Sequence, residues 1–285
     1  MDGIIVIDKP KNYTSRDVVN IVGKVFKTKK VGHTGTLDPL ATGVLIVCIN
    51  KGTKLVDILT SLDKEYIAEF TLGINTDTLD STGNILNEEN VKIEKEKIID
   101  VLKSMIGTYE QEVPLYSAIK VDGKKLYEYA RNKEEVELPT HTVNIYNLEL
   151  LDINYLNNKT NIKVKCHVSK GTYIRSLGRD IAQKLNTFCI MTDLRRTKQG
   201  KFYIDKAVKL DRIKENNVIS LNECLLDYYK VCVDSELEKK IKNGCSVDNI
   251  YKKEYVLFIK NDNEIIGLYK NVEDKLIPYK MFNVN

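Results

Sequence analysis

The sequence predicts a mixed fold, with strands and helices interspersed in one large domain and a small β-rich appendage behind it. Three observations carry that expectation. Apolar runs of strand length and period-two alternations recur between stretches with a helical apolar stripe. A chain of 285 residues, 42% of them hydrophobic, suffices for one large domain, or one large and one small, with a substantial core. Near Asp227 the patterning changes, and the remaining roughly fifty residues approach the size at which a core alone becomes marginal. The expected domains are 1–228 and 229–285.

Each element has its own signal. Gly3-Ile4-Ile5-Val6-Ile7 is a short apolar strand that leads into a turn at Asp8–Tyr13. Thr14 caps a helix, with Asp17 three residues on in capping-box position, and Val18, Val19, Ile21, Val22, Val25 and Phe26 supply its apolar stripe. It ends in the basic tip Lys27-Thr28-Lys29-Lys30, readable as a solvated end favoured by the macrodipole or as a phosphate contact. Val44–Ile49 reads as a buried strand, and a short helix carries Leu55, Ile58 and Leu59. Lys64–Leu72 alternates, with Tyr66, Ala68, Phe70 and Leu72 on one face. The polar stretch from Gly73 to Gly83 lacks EF-hand spacing and reads as turn chemistry. Ile98, Val101, Leu102 and Met105 mark a helix ending near Gly107. Val143–Ile153 is a strand, Asn154–Asn161 a turn, and Ile162–Val168 a half-buried strand whose outer face, Lys163, Lys165 and His167, is basic. Ile174, Leu177, Gly178, Ile181 and Leu185 share one helical face. In the appendage a strand and helix end at the C-cap Asn243-Gly244, and a hairpin turns at residues 261–264.

Composition narrows the function. With 44 Lys and Arg against 40 Asp and Glu, the net charge of +4 permits a polyanionic partner without demanding one. The six cysteines form no C-x-x-C pair and read as buried thiols of a reducing compartment. His33, His141 and His167 show no ligand spacing, so no metal is expected. The N-terminus lacks a signal h-region and no apolar run reaches membrane-spanning length; the expectation is a soluble, cytoplasmic monomer.

The most informative stretch is Gly32–Gly43, which sets Asp38 in a loop of small and turn-forming residues. Gly32, Gly35 and Gly43 permit positive φ, Pro39 keeps Asp38 extended, and Thr34, Thr36 and Thr42 can stiffen the turn. On spacing alone Asp38-Pro39 is a structural turn, and the loop is not a Walker phosphate cradle. The string GHTGTLDPLATGVL, however, resembles the signature of the TruB family of tRNA pseudouridine synthases. Further stretches resemble family motifs in the right order. DKPKNYTS (8–15) matches the opening D-K-P-x-G-x-T-S, with Asn12, the next best residue for a left-handed turn, in place of Gly. KEY (64–66) and TDTLDSTG (76–83) follow, then QEVPLYSAIK (111–120), where Val113 replaces a Pro, and GKKLYEYAR (123–131). SKGTYIRSL (169–177) and LRRTKQGKF (194–202) are the second and third strong motifs. Between these two, Asn186–Cys189 stands where the family often has a Gly-rich turn. The tail resembles the family's PUA-like domain.

The resemblance implies an α+β fold, a mixed sheet with a central cleft flanked by helices, and a small β-rich PUA-like C-terminal domain that binds RNA. It implies conversion of the T-loop uridine at tRNA position 55 to pseudouridine, by detaching the base, turning it and rejoining it through C5, with no cofactor. Asp38 takes the role of catalytic carboxylate. Arg175 is its partner, since a neighbouring guanidinium favours the charged form and can align it. Tyr66 is placed against the target base, Tyr173 and Leu194 line the base pocket, and His33 packs where the flipped base was. Lys9 of the opening motif and Lys120 of the basic, Tyr-rich stretch complete the expected substrate contacts with the T-stem-loop. Attack at C1′, attack at C6 and abstraction of a 2′ proton are all compatible with these residue types. Without the motifs, His33 is a locally bonded turn residue, Tyr66 a core or cross-strand aromatic and Arg175 an exposed helix arginine. The 116–131 stretch then suits RNA or simply the wet face of a helix. Two further functions compete: an RNA-folding chaperone that opens and remakes the tRNA elbow, with or without catalysis, and a related synthase acting on other RNA within a complex.

Overall fold

A computed structural model describes residues 1–261 and 263–282. β1 (Gly3–Lys9) is buried and runs two residues further than its apolar run. α1 (Ser15–Val25) begins in the expected capping box, Thr14 Oγ1 accepting from Asp17 N and the Asp17 carboxylate from Thr14 N. Asn12 adopts φ +68°, the left-handed turn its position demands. β2 (Val31–His33) and β3 (Thr42–Ile49) bracket the Asp38 loop. A 3-10 turn at 50–55 and α2 (Val56–Thr60) lead to β4 (Lys64–Leu72). β5 (Ile74–Thr76) and β6 (Ile85–Glu88) form a small ribbon. α3 (Lys95–Ser104) and β7 (Gly107–Glu112) follow, then the ribbon β8 (Lys120–Val121) and β9 (Lys124–Lys125), and α4 (Leu126–Asn132). β10 (Thr140–Leu156), β11 (Lys159–Val168), α5 (Ile174–Lys184), β12 (Cys189–Gln199) and β13 (Phe202–Tyr203) come next. The chain closes with β14 (Val208–Lys209), β15 (Ile219–Ser220), α6 (Leu221–Cys224), β16 (Tyr229–Cys232), α7 (Ser235–Lys242), β17 (Val247–Asp248), β18 (Tyr255–Ile259), β19 (Ile265–Val272) and β20 (Lys275–Met281).

The chain forms two compact units: residues 1–38, 45–60 and those from Lys206 on make the first, residues 39–44 and 61–205 the second. In the first, β1 pairs in parallel with β14 and antiparallel with β15, while β2 pairs antiparallel with β3. Ile4, Ile5, Ile7, Leu45, Ile46, Ile49 and Leu55 are fully buried, which explains why both strands read as continuous apolar runs. The same unit holds a five-stranded sheet in the order β16-β18-β19-β20-β17. Val256, Phe258, Ile266, Tyr269 and Leu276 form its core with Ile241 of α7, and the buried Tyr269 hydroxyl donates to Ile241 O at 3.0 Å. Lys280 pairs with Asp57 at 2.7 Å, and Lys54 donates to Met281 O, so this sheet is fastened to the 3-10 turn and α2. The predicted 261–264 turn includes Asp262, which lies outside the described residues.

The second unit is an antiparallel sheet in the order β12-β4-β11-β10-β7, with the start of β3 parallel to β12 through Thr42↔Arg195 and Gly43↔Arg196. β4 alternates as predicted, burying Tyr66, Ala68, Phe70 and Leu72 but also Lys64. α5 lies on this sheet, and Gly178 makes that possible: a Cβ there would meet Phe70 Cε1 at 2.5 Å. Two expectations change. The turn at 154–161 shrinks to Asn157 and Asn158, both at positive φ, because two left-handed residues suffice to close a tight hairpin; Asn154 and Asn161 pair across the strands instead. The outer face of β11 is not a free basic surface. Lys163 pairs with Glu69 at 2.9 Å, Lys165 with Glu65 at 3.1 Å, and His167 meets the Asp63 carboxylate just before β4.

Candidate active site

Asp38 sits, half-buried, between two anchored points. On the side before it, Leu37 is held within the first unit by Ser15 at the start of α1: Leu37 N donates to Ser15 Oγ at 2.9 Å, and Ser15 Oγ donates to Leu37 O at 3.1 Å. On the side after it, residues 39–44 belong to the second unit and are pinned to β12 by the Thr42 and Gly43 pairings. Gly43 has φ +100°, and a Cβ there would lie 2.2 Å from Arg196 O, so only glycine lets this backbone lie on β12. Gly35 also has positive φ, but Gly32 does not; it is an ordinary strand residue of β2. Pro39 ends any hydrogen-bonded continuation from Asp38.

Arg175, on the first turn of α5, is not the exposed arginine its helical position suggests. It is 9% exposed and lies inside the second unit, donating to Thr78 O at 3.0 Å and Tyr116 O at 3.2 Å. Asp80 stands 3.9 Å away and organises the loop Arg175 binds: its Oδ1 accepts from Thr78 Oγ1 at 2.8 Å, Thr82 N at 2.9 Å and Thr82 Oγ1 at 2.6 Å. That loop is latched to β12, Met191 N donating to Leu79 O and Ser81 N to Met191 O, both at 3.0 Å. The stretch 76–83 is thus turn chemistry, as its spacing predicts, and it carries an arginine as well.

Tyr66 faces the same sheet surface as Lys64 and stands opposite Arg196 of β12. Arg196, 1% exposed, donates from Nε to Val44 O at 2.5 Å and holds its guanidinium carbon 6.0 Å from the Tyr66 ring centre. It therefore ties the strand that leaves the Asp38 loop to the tyrosine. Leu194, two residues before it, is buried, pairs with Ala68, and its carbonyl accepts from Thr42 Oγ1 at 3.5 Å. Burial, and next the Arg196 charge, depress the Lys64 amine to about 8.

The other expected contacts divide. Tyr173 is the N-cap of α5, half-buried, two residues before Arg175. His33 ends β2, and its Nδ1 accepts from Gly35 N at 3.4 Å, the local bond expected of a turn histidine. Lys9 is fully buried, donating to Tyr13 O at 2.6 Å and Pro10 O at 3.0 Å, which braces the turn before α1. Lys120 is exposed on β8. The second unit thus gathers Tyr66, Tyr173, Arg175, Leu194 and the segment leaving Asp38; Lys9, His33 and Asp38 itself belong to the first.

The family model described as "TruB family pseudouridylate synthase (N terminal domain)" matches residues 23–174. The tRNA pseudouridine synthase B of Caldicellulosiruptor saccharolyticus is 44% identical over 281 residues, covering 98% of this chain and 94% of that protein. The chain belongs to the TruB family. The same-named protein of Clostridium tetani is 42% identical over 282 residues, covering 97% of this chain and 94% of its own length. Among solved structures, a Cbf5-Nop10-Gar1 complex contains a chain that matches 99% of this one and 85% of itself, with a TM-score of 0.74 and 25% identity. The fold is accordingly the α+β pseudouridine synthase fold, mixed in its sheet pairing and with a small PUA-like sheet at the C-terminal end.

Several residues that shape this TruB site escape a motif reading. Arg196 and Asp80 lie inside quoted motifs, yet nothing in their spacing says that one is buried against Tyr66 and Val44 and the other beside Arg175. Lys64 reads as a strand-edge lysine, but the alternation it shares with Tyr66 is a signal that it faces inward.

Proposed function

We propose that this chain converts the uridine at position 55 of tRNA to pseudouridine, with Asp38 as the essential carboxylate and Arg175 as its charge partner. The observation that carries the reading is the double anchoring of Asp38, by Ser15 on one side and by the β12 pairing of Thr42 and Gly43 on the other. A carboxylate that must act on a ribose–base unit has to be held, not merely present. The names of the TruB relatives support tRNA as the substrate.

In this reading Tyr66 offers its ring face to the detached uracil, which can turn over it without breaking an in-plane bond, while Leu194 and Tyr173 bound the pocket. Arg196 keeps Tyr66 oriented. His33 fills the space that the flipped base leaves in the T-loop, and Lys120 serves the RNA contact; the buried Lys9 supports binding only through the turn that it braces before α1. Residues 229–285 act as an RNA-binding domain. Tyr228 at its edge, Tyr255 and Tyr279 stand in a row with ring centres 5.8 Å apart at each step, and Lys270 lies over Tyr255, a surface suited to bases and phosphates.

The test is incubation with unmodified tRNA transcript and mapping of pseudouridine at single-nucleotide resolution. The wild type is expected to modify position 55. Asp38→Asn is expected to bind the transcript and yield no product; full turnover by that variant would overturn the assignment.

A further inference from the structure

α5 starts without a side-chain cap of its own, since its N-cap residue is Tyr173. The first N–H groups of a helix need partners from elsewhere. One such partner comes from the end of β7, which also holds two side chains of α5. Gln111 Oε1 accepts from Tyr173 N at 2.8 Å, and the carbonyl of Glu112 accepts from Ser176 Oγ at 2.9 Å and Arg179 Nη2 at 3.1 Å.

Gln111 is 1% exposed, and its other end is equally engaged: Nε2 donates to Tyr109 Oη at 2.8 Å. Tyr109 in turn donates to Asp180 Oδ2 at 3.1 Å, and Asp180 Oδ1 accepts from Arg179 Nε at 3.0 Å and Nη2 at 2.9 Å. An amide can face either way in a pocket of this kind, and the network decides. Asp180 as a carboxylate only accepts, so Tyr109 gives it its single hydrogen and can only accept from Gln111. Gln111 must then turn its NH2 to Tyr109 and its oxygen to Tyr173 N. The ring of bonds starts at Tyr173 and returns to α5 at Asp180, two turns on, so it fixes the helix in rotation as well as in position.

We propose that Gln111 is a positioning residue for the reaction: its amide caps α5 from β7 and thereby sets the placement of Tyr173 and Arg175. The inference rests on the functional reading above. It is orientational, and no proton passes along the ring.

Three full-chain variants test it, each read by single-turnover pseudouridine formation, by affinity for tRNA transcript and by thermal unfolding. Gln111→Leu is expected to slow the single-turnover rate about 10- to 100-fold, as a misplaced group of this kind does, with affinity within about threefold of wild type. Tyr109→Phe keeps the aromatic packing and frees the amide to flip; a smaller loss of rate at unchanged affinity is expected. Gln111→Glu supplies the reading that a merely structural residue would not move. A protonated Glu repeats the amide's pattern, accepting from Tyr173 N and donating to Tyr109. An ionised Glu has nothing to donate and faces the same hydroxyl as Asp180. The groups around it are Tyr109 and Glu112 on β7, His141 opposite on β10, Tyr173 at the N-cap, and Arg179 and Asp180 on α5. The rate of Gln111→Glu relative to wild type is expected to climb as pH falls from about 8 to about 5.5, while the ratio for Gln111→Leu stays flat. Taking the ratio removes titrations common to both proteins. An active wild type matched in rate by Gln111→Leu or by Tyr109→Phe overturns the inference alone, as does a Gln111→Glu ratio that does not change with pH. Losses of rate that merely follow loss of affinity or of melting temperature overturn it too. A wild type that makes no pseudouridine overturns the functional reading and this inference with it.

Discussion

At the scale of single residues, buried charge decides most of the behaviour. Arg175 bridges two carbonyls, Thr78 O and Tyr116 O, with separate nitrogens of one planar group. A lysine's single ammonium cannot reproduce the fixed spacing of two guanidinium nitrogens, so Arg175→Lys is expected to lose most activity despite keeping the charge, measured as initial rate on tRNA transcript. Asp80→Ala removes three hydrogen bonds inside the same loop, and a destabilisation of about 2–3 kcal/mol in urea unfolding is expected together with a loss of rate. Lys64 gives a pH signature. Its folded-state value of about 8 lies below the ordinary 10.5, so between these two pH values the unfolded chain binds more protons and stability rises with pH. Below pH 8 the penalty is fully present, on the order of 3 kcal/mol at most. Urea midpoints of Lys64→Met and wild type are therefore expected to differ most at neutral pH and to converge towards pH 10. Asp38, Arg175 and Tyr66 stand out as candidates because long motifs contain them. Lys64, Arg196 and Gln111 were not legible as partners, because a side chain's burial depends on which distant segment covers it.

At the scale of elements, local chemistry and pairing divide the work. The α1 capping box, the left-handed Asn12 and the β4 alternation follow from residues within a few positions of one another, so the sequence displays them. Asn186 belongs with these: at φ +55° it supplies the left-handed residue after α5 that a glycine would otherwise provide, with Thr187 N donating to Ala182 O at 3.0 Å. The Asp38 loop is different, since its exit is held by β12, some 150 residues later in the chain. Gly43→Ala is expected to destabilise the protein by about 2 kcal/mol or more, from positive φ and a Cβ driven into Arg196 O, and to lower the rate; thermal unfolding and single-turnover assays read the two effects. The ion-pair ladder between β4 and β11 yields an expectation of no effect. Lys163→Ala and Lys165→Ala should leave tRNA affinity unchanged, because those charges are already matched by Glu69 and Glu65.

For the whole molecule, +4 of net charge says little about where RNA sits; the arrangement of rings and lysines says more. Tyr255→Ala combined with Lys270→Ala is expected to weaken tRNA binding and to make its dependence on salt shallower, while the product still maps to one position; filter binding across a salt series checks it.

The family and most elements were readable in the linear string, and it singled out Asp38 as the candidate carboxylate, because motifs, caps and periodicities are short-range patterns. Only the tertiary structure decided which charges are buried, that the expected basic face of β11 is neutralised by β4, and that α5 is capped by a glutamine from β7. Those depend on strand neighbours and helix seating, and a side chain's environment is set by whatever the fold brings beside it, however far away that lies along the chain.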